Sequence, residues 1–192
     1  MDNQYIKTIT KEEINNLPSA HFKGKITIID NMEKLEEAIP LLDKESYWGF
    51  DTETKPSFKK GKKNKVSLLQ LSNSSQAFLF RLNKIGLPQQ IANILSKPNI
   101  LKVGVAIRDD IITLNKLTKF TPEEFIDLQQ YAEKSGIVDK SLKKLSAIVL
   151  GIKISKSQQT SNWEVEELTS QQKIYAATDA WVCHEIYMKL NK

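Results

Sequence analysis

Tyr47-Trp48-Gly49-Phe50-Asp51-Thr52-Glu53 is an aromatic, strand-prone run that ends in two acids separated by one residue. Successive side chains along a strand point to opposite faces, so Tyr47, Gly49, Asp51 and Glu53 share one side and Trp48, Phe50 and Thr52 the other. Two carboxylates therefore converge at a strand end. Bringing like charges together costs free energy unless a cation lies between them, and an all-oxygen donor pair suits a hard divalent metal. The same pattern also describes an ordinary strand leaving the core into a polar turn. The rest of the chain decides between the two.

Immediately downstream, Lys59, Lys60, Lys62, Lys63 and Lys65 crowd one loop beside the acidic strand end. Such a loop can hold phosphates, or it can be a solvated connection. Val66–Ser72 and Ala77–Leu82, joined by Asn73-Ser74-Ser75-Gln76, read as a hairpin that continues the acidic strand into an antiparallel meander. Upstream, Lys25–Ile29 reads as a β-branched strand, followed by a helix that Asp30 or Asn31 caps and that runs to about Leu42, weakened by Pro40. Residues 1–24 form an extension with a short helix, Thr10 to Leu17, opened by a Thr10/Glu13 capping box and stopped by Pro18. No chemistry is visible in that extension. After a short helix from Pro88 to Leu95, Ile100–Val105 reads as a strand leading into a helix that ends near Leu117. Phe125–Leu128 reads as a short strand, Ser141–Leu150 as a helix ended by Gly151, and Ser170–Leu190 as the longest helix. A meander followed by strand-and-helix units predicts an α/β domain over residues 25–192, built on a mixed five-stranded sheet.

Composition sets bounds on function. At 192 residues and 40% hydrophobic content the chain builds one full-sized core. No apolar run approaches a membrane span, and the first residues lack a signal-sequence pattern, so a cytoplasmic location and no membrane partner are expected. A single cysteine, Cys183, rules out an intramolecular disulfide and cysteine-cluster zinc. It is assigned to core packing. The net charge of +5 favours polyanionic partners and is equally compatible with ordinary solubility.

Two further acids recur where apolar residues are expected. In the helix after Gly104, Asp110 shares a stripe with Ile107, Leu114 and Leu117, whereas Asp109 aligns with Thr113 and Lys116 and faces water. A carboxylate on an apolar stripe must be paired, hydrogen-bonded or metal-linked. Asp110 is therefore the functional candidate, although the helix dipole explains Asp109 without function. In the last helix Tyr175, Asp179, Val182 and Ile186 form one stripe, placing a phenol and a carboxylate one turn apart. A core tyrosine hydrogen-bonded to Asp179 gives the same pattern.

Asp51-x-Glu53, then Asp110 after Val103-Gly104-Val105, then Tyr175-x-x-x-Asp179 resembles the three-motif pattern of the DEDD 3'-5' exonucleases, tyrosine subclass. Flanking residues extend the likeness: Phe50–Glu53, Lys65–Leu71, Lys102–Val105, Ser161-Asn162-Trp163 and Tyr175–Ala180 are similar to the Werner-type exonuclease domain and, more distantly, to ribonuclease D. The resemblance covers roughly residues 25–190 and implies a ribonuclease-H-like fold. It also implies metal-dependent removal of nucleoside monophosphates from a 3' end of DNA or RNA. On that footing two divalent ions, Mg²⁺ or Mn²⁺, are held by Asp51, Glu53, Asp110 and Asp179, with Asp51 shared between them and Tyr175 orienting the attacking water. Thr52, Lys62, Lys63, Lys65, Asn162 and Trp163 are substrate-binding candidates, Trp163 serving equally well as a packed aromatic. Thr54 and Gln159-Thr160 depart from the family's flanks and bear on substrate preference. Rival readings are a non-catalytic nucleic-acid-binding module on the same fold and an endonuclease of the ribonuclease H type.

Overall fold

The computed structural model describes residues 5–57 and 64–191. Six strands form one mixed sheet: β1 (Lys25–Ile29), β2 (Tyr47–Thr54), β3 (Val66–Ser72), β4 (Gln76–Phe80), β5 (Leu101–Gly104) and β6 (Phe125–Asp127), in the spatial order β1-β4-β3-β2-β5-β6. The antiparallel meander β2-β3-β4 is present as read, with Asp51 opposite Gln70. β5 runs parallel to β2, and β6 parallel to β5. The sheet has one strand more than the five expected. Lys25–Ile29 adds to the outer edge of β4 in parallel, Lys25 opposite Gln76, a long-range pairing that no local pattern announces.

Helices cover both faces. α1 (Lys11–Asn16) opens with the Thr10/Glu13 capping box, and α2 (Met32–Leu42) is capped by Asn31 and continues past Pro40 to Leu42. α3 (Leu82–Ile85), α4 (Gln89–Leu95), α5 (Arg108–Leu117), α6 (Leu128–Lys134) and α7 (Leu142–Leu145) are short, and α8 (Ser170–Leu190) is the longest. Three local readings shift. Leu82 starts α3 instead of ending a strand, and Leu128 starts α6 under an Asp127 cap. The helix from Ser141 is a single α turn followed by a π-helical turn, Ser146–Leu150, closed by Gly151 at φ 69°. Among the described residues no helix is long and apolar enough to cross a membrane.

Strand alternation divides the core in two. Trp48 and Phe50, with Leu69, Leu71, Phe78 and Phe80, pack under α2, α4 and α5 through Leu35, Leu42, Ile91, Leu95 and Leu114. The opposite face carries Gly49, Asp51 and Glu53, and is covered by α8, which lies across β2, β3, β4 and β5. There Leu68 and Leu79 meet Trp163, Leu168, Tyr175 and Ala176. The helix approaches closely because its inner side is made of Ala176, Ala177 and Ala180, all fully buried, and because residue 49 is glycine. A Cβ built on Gly49 would lie 1.8 Å from the Ala180 carbonyl oxygen and 2.8 Å from the His184 nitrogen. At residue 49 no side chain fits between β2 and α8.

Gly49→Ala is therefore expected to cost roughly 3 kcal/mol by forcing the helix off the strand. A urea denaturation midpoint indistinguishable from wild type would show that the close approach does not constrain the fold.

Candidate active site

The site begins where β2 runs out from under α8. Asp51 and Glu53 leave the same face of the strand, and α8 presents Asp179 against them from above. One carboxylate oxygen from each of Asp51, Glu53 and Asp179 lies within 4.8 Å of the others. Three acids share one small volume. Burial pushes the Asp51 carboxyl well above the usual carboxylate range, and the neighbouring Asp179 and Asp110 charges push it further. Burial, then Asp51 and Asp179, raises Glu53 to about 10. Asp179 is raised to about 7 by burial, opposed by a hydrogen bond from the Tyr175 hydroxyl and by the charge of Lys156. The Tyr175 phenol itself is pushed up, first by burial and then by Asp179 and Glu53.

Asp110 stands on the other flank. β5 ends at Gly104, Ala106 takes a left-handed turn at φ 58°, and its N–H donates to the Asp127 carboxylate at 3.1 Å. This turn starts α5, which brings Asp110 back against the end of β2. The Thr52 hydroxyl donates to Asp110 at 2.5 Å. Burial raises the Asp110 carboxyl, that hydrogen bond lowering it in part. Asp109 is exposed and Asp110 half-buried, the contrast in exposure that their helical spacing predicts. Asp110 is not within the close three-carboxylate group.

A hard divalent cation fits this donor set: the converging atoms are carboxylate oxygens, and their mutual repulsion is what a cation removes. Gln70, fully buried as the cross-strand partner of Asp51, has neither amide atom hydrogen-bonded among the described residues.

A cavity of about 360 Å³ opens onto Asp51, Glu53, Tyr175 and Asp179. Its wall also carries Lys143 from α7 and Lys156 from the following loop, which the sequence reading did not single out. Both lie in short polar runs typical of solvated surface, and only the tertiary fold brings them to this cavity. The predicted substrate contacts scatter. Thr52 lines the cavity while its hydroxyl is engaged by Asp110. Lys62 and Lys63, with Lys59 and Lys60, lie outside the described residues. Lys65 is exposed and lines neighbouring hollows away from the carboxylates.

Asn162 accepts the Glu164 N–H at 3.1 Å within its own turn. Trp163 requires a correction: its indole is fully buried among Leu68, Leu79 and Leu168, its ring 5.9 Å from that of Tyr175. The cause is the tie between Gln172 and this loop, whose amide donates to the Ser161 hydroxyl at 2.8 Å and the Asn162 carbonyl at 3.1 Å. Trp163 supports the tyrosine from beneath, and no surface is left for substrate. Cys183 is buried in the core, as assigned, and His184 stacks on Tyr47 outside the acid cluster.

Comparison with known proteins agrees with this geometry. The family model of the 3'-5' exonuclease matches residues 26–192. The mouse bifunctional 3'-5' exonuclease/ATP-dependent helicase WRN is 36% identical over 186 residues, covering 92% of this chain and 13% of that protein. A putative 3'-5' exonuclease, R431, of Acanthamoeba polyphaga mimivirus is 31% identical over 203 residues, covering 96% of this chain and 49% of the viral one. The chain thus spans less than half the length of each. The crystal structure of the Aedes aegypti Nibbler EXO domain superposes with a TM-score of 0.80 at 26% identity, covering 90% of this chain and 91% of that one. With the matched region running from β1 to the end of α8 and taking in all four acids and Tyr175, the chain belongs to the 3'-5' exonuclease family.

Proposed function

We propose that the protein removes nucleoside monophosphates one at a time from the 3' end of a nucleic acid strand, by metal-dependent hydrolysis. The observation that carries this reading is the convergence of the Asp51, Glu53 and Asp179 carboxylates within 4.8 Å, in a cavity that Tyr175 and two lysines share. Asp51, Glu53 and Asp179 would hold one divalent ion, and Asp110, with Asp51, a second, Mg²⁺ or Mn²⁺ by the chemistry of the donors. Bound there, such ions supply a water made nucleophilic near neutral pH and positive charge for the transition state and the departing oxygen.

The remaining tasks fall to the chain itself. Tyr175 stays protonated throughout the physiological range, because burial and the adjacent carboxylates oppose its ionisation. It therefore acts as a hydrogen-bond donor that fixes Asp179 and orients water, and not as the base. Trp163 holds the phenol ring from below. Thr52 fixes the Asp110 carboxylate by donating to it. Lys143 and Lys156, at the cavity wall, meet the phosphates of an entering strand, and we assign Lys62, Lys63 and Lys65 to phosphates further along it. The single buried cysteine supports a reducing, cytoplasmic setting.

The site is testable by turnover and by pH. A 5'-labelled single strand incubated with Mg²⁺ or Mn²⁺ is expected to give a ladder shrinking from the 3' end, absent in EDTA and reduced at least about 1,000-fold by Asp51→Ala. On the same substrate Asp110→Ala is far more damaging than Asp109→Ala, and Tyr175→Phe slows turnover about 10- to 100-fold with little change in affinity. Nicking of circular strands, or near-normal turnover by Asp51→Ala, would refute the reading.

In metal-free protein the raised Glu53 and Asp179 carboxyls bind protons more tightly folded than unfolded. Their contribution to stability is complete below the ordinary carboxylate range and is lost as pH rises through about 7 for Asp179 and towards about 10 for Glu53. In EDTA the melting temperature should fall between about pH 6 and pH 9, and Mg²⁺ should remove most of that fall. Glu53→Gln should flatten the EDTA profile. An EDTA profile that rises over this range would contradict the assignment.

A further inference from the structure

The run before β1, where sequence shows no chemistry, is bound tightly to the fold. Ala20 N–H donates to the Lys153 carbonyl and Lys153 N–H to the Pro18 carbonyl, both at 3.0 Å. Two residues on, Phe22 N–H donates to the Thr178 hydroxyl at 3.0 Å, and the Phe22 ring is buried 6.3 Å from that of Trp181. Ala20 and His21 sit between these anchors. They form one wall of a cavity of about 380 Å³ whose other walls are the 155–158 loop and the Ile174, Tyr175 and Thr178 side of α8. That volume lies in the range of small-ligand sites.

This cavity is distinct from the one over the acids but shares two residues with it, Ser155 and Tyr175. Tyr175 thus lines both compartments. Ile174, beside it on α8, is 37% exposed and is among the few large apolar side chains that α8 leaves open. The His21 imidazole is exposed at the mouth, and Ser157, Gln158 and Gln171 supply polar groups around it. An aliphatic surface and a flat imidazole, rimmed by hydroxyls and amides, match an unstacked base, which has two π faces and a polar edge.

We infer that this compartment binds the nucleobase of one of the two nucleotides flanking the scissile phosphate, with His21 and Ile174 as its stacking surface. The inference rests on the exonuclease reading, and it gives residues 18–22 a specific role: they are the wall of a base site. Because the contacts are to a base face, the site selects single-stranded ends over paired ones and discriminates weakly among bases.

The test is a set of 5'-labelled single strands carrying one abasic residue at the terminal, second, third or fourth position from the 3' end. For the wild-type protein with Mg²⁺, kcat/KM for the first cleavage should fall about tenfold when the abasic residue is terminal or second, and little at the other positions. In His21→Ala/Ile174→Ala the intact strand should be cut about tenfold less efficiently, mainly through KM, and the abasic residue should add almost nothing. His21→Ala alone, an exposed truncation, should show half of this pattern, and thermal melts check that both variants fold. An abasic penalty of unchanged size in the double variant, or no penalty at either flanking position, overturns the base site. Affinities of the same strands for Asp51→Ala, measured by fluorescence anisotropy, judge the compartment without turnover. If wild-type protein cut no strand at all, the exonuclease reading would fail, while equal affinity for intact and abasic strands would sink the base site separately.

Discussion

Asp51 and Asp179 come from different elements, and what brings their carboxylates together is the absence of a side chain at Gly49. With nothing between β2 and the Ala180 backbone, α8 settles directly on the strand. Asp179, one residue before Ala180, is then placed over Asp51 by the backbone itself. The electrostatic cost of that placement is borne by apolar packing: Trp48 and Phe50 on one face of the sheet, and Leu68, Leu79 and Trp163 on the other. A protein that needed only stability would gain by replacing these acids, because like-charged carboxylates crowded together out of water oppose folding. Their retention in a packed setting is understandable if a cation and a phosphate complete the site.

The periodicities of strand and helix carry much of this into the sequence. A period of two placed Asp51 and Glu53 on one face, and the fold separates them from Trp48 and Phe50 in just that way. A period of 3.6 chose Asp110 over Asp109, and in the structure the first is half-buried and bonded to Thr52 while the second is exposed. Capping chemistry located the start of α1 from Thr10 and offered Asp30 or Asn31 for α2, of which Asn31 is the cap. Tyr175 and Asp179 share a face of α8, as their spacing predicts, and a hydrogen bond joins them.

What the sequence did not display was decided at long range. β1 was recognisable as a strand, but its parallel pairing with β4 depends on the whole meander being in place. Trp163 offered an aromatic at a plausible contact position, and only the Gln172 tie to Ser161 and Asn162 shows that the ring must turn inward. Lys143, Lys156 and His21 carry no local pattern that separates them from solvated surface residues. They acquire meaning from what the fold sets opposite them, which for the two lysines is a group of acids and for His21 is the far side of Tyr175.

Tyr175 is the residue on which these parts converge: bonded to Asp179, supported by Trp163, and shared by two cavities. The central claim is that the carboxylates around it form a cation site that the fold has assembled in advance. Anomalous diffraction from crystals soaked in Mn²⁺ would test it most directly. The account predicts manganese density against Asp51, Glu53 and Asp179, and its loss in Asp51→Ala crystals that otherwise superpose on the wild type. Saturating Mn²⁺ with no density at these carboxylates, or density unchanged in the variant, would contradict it.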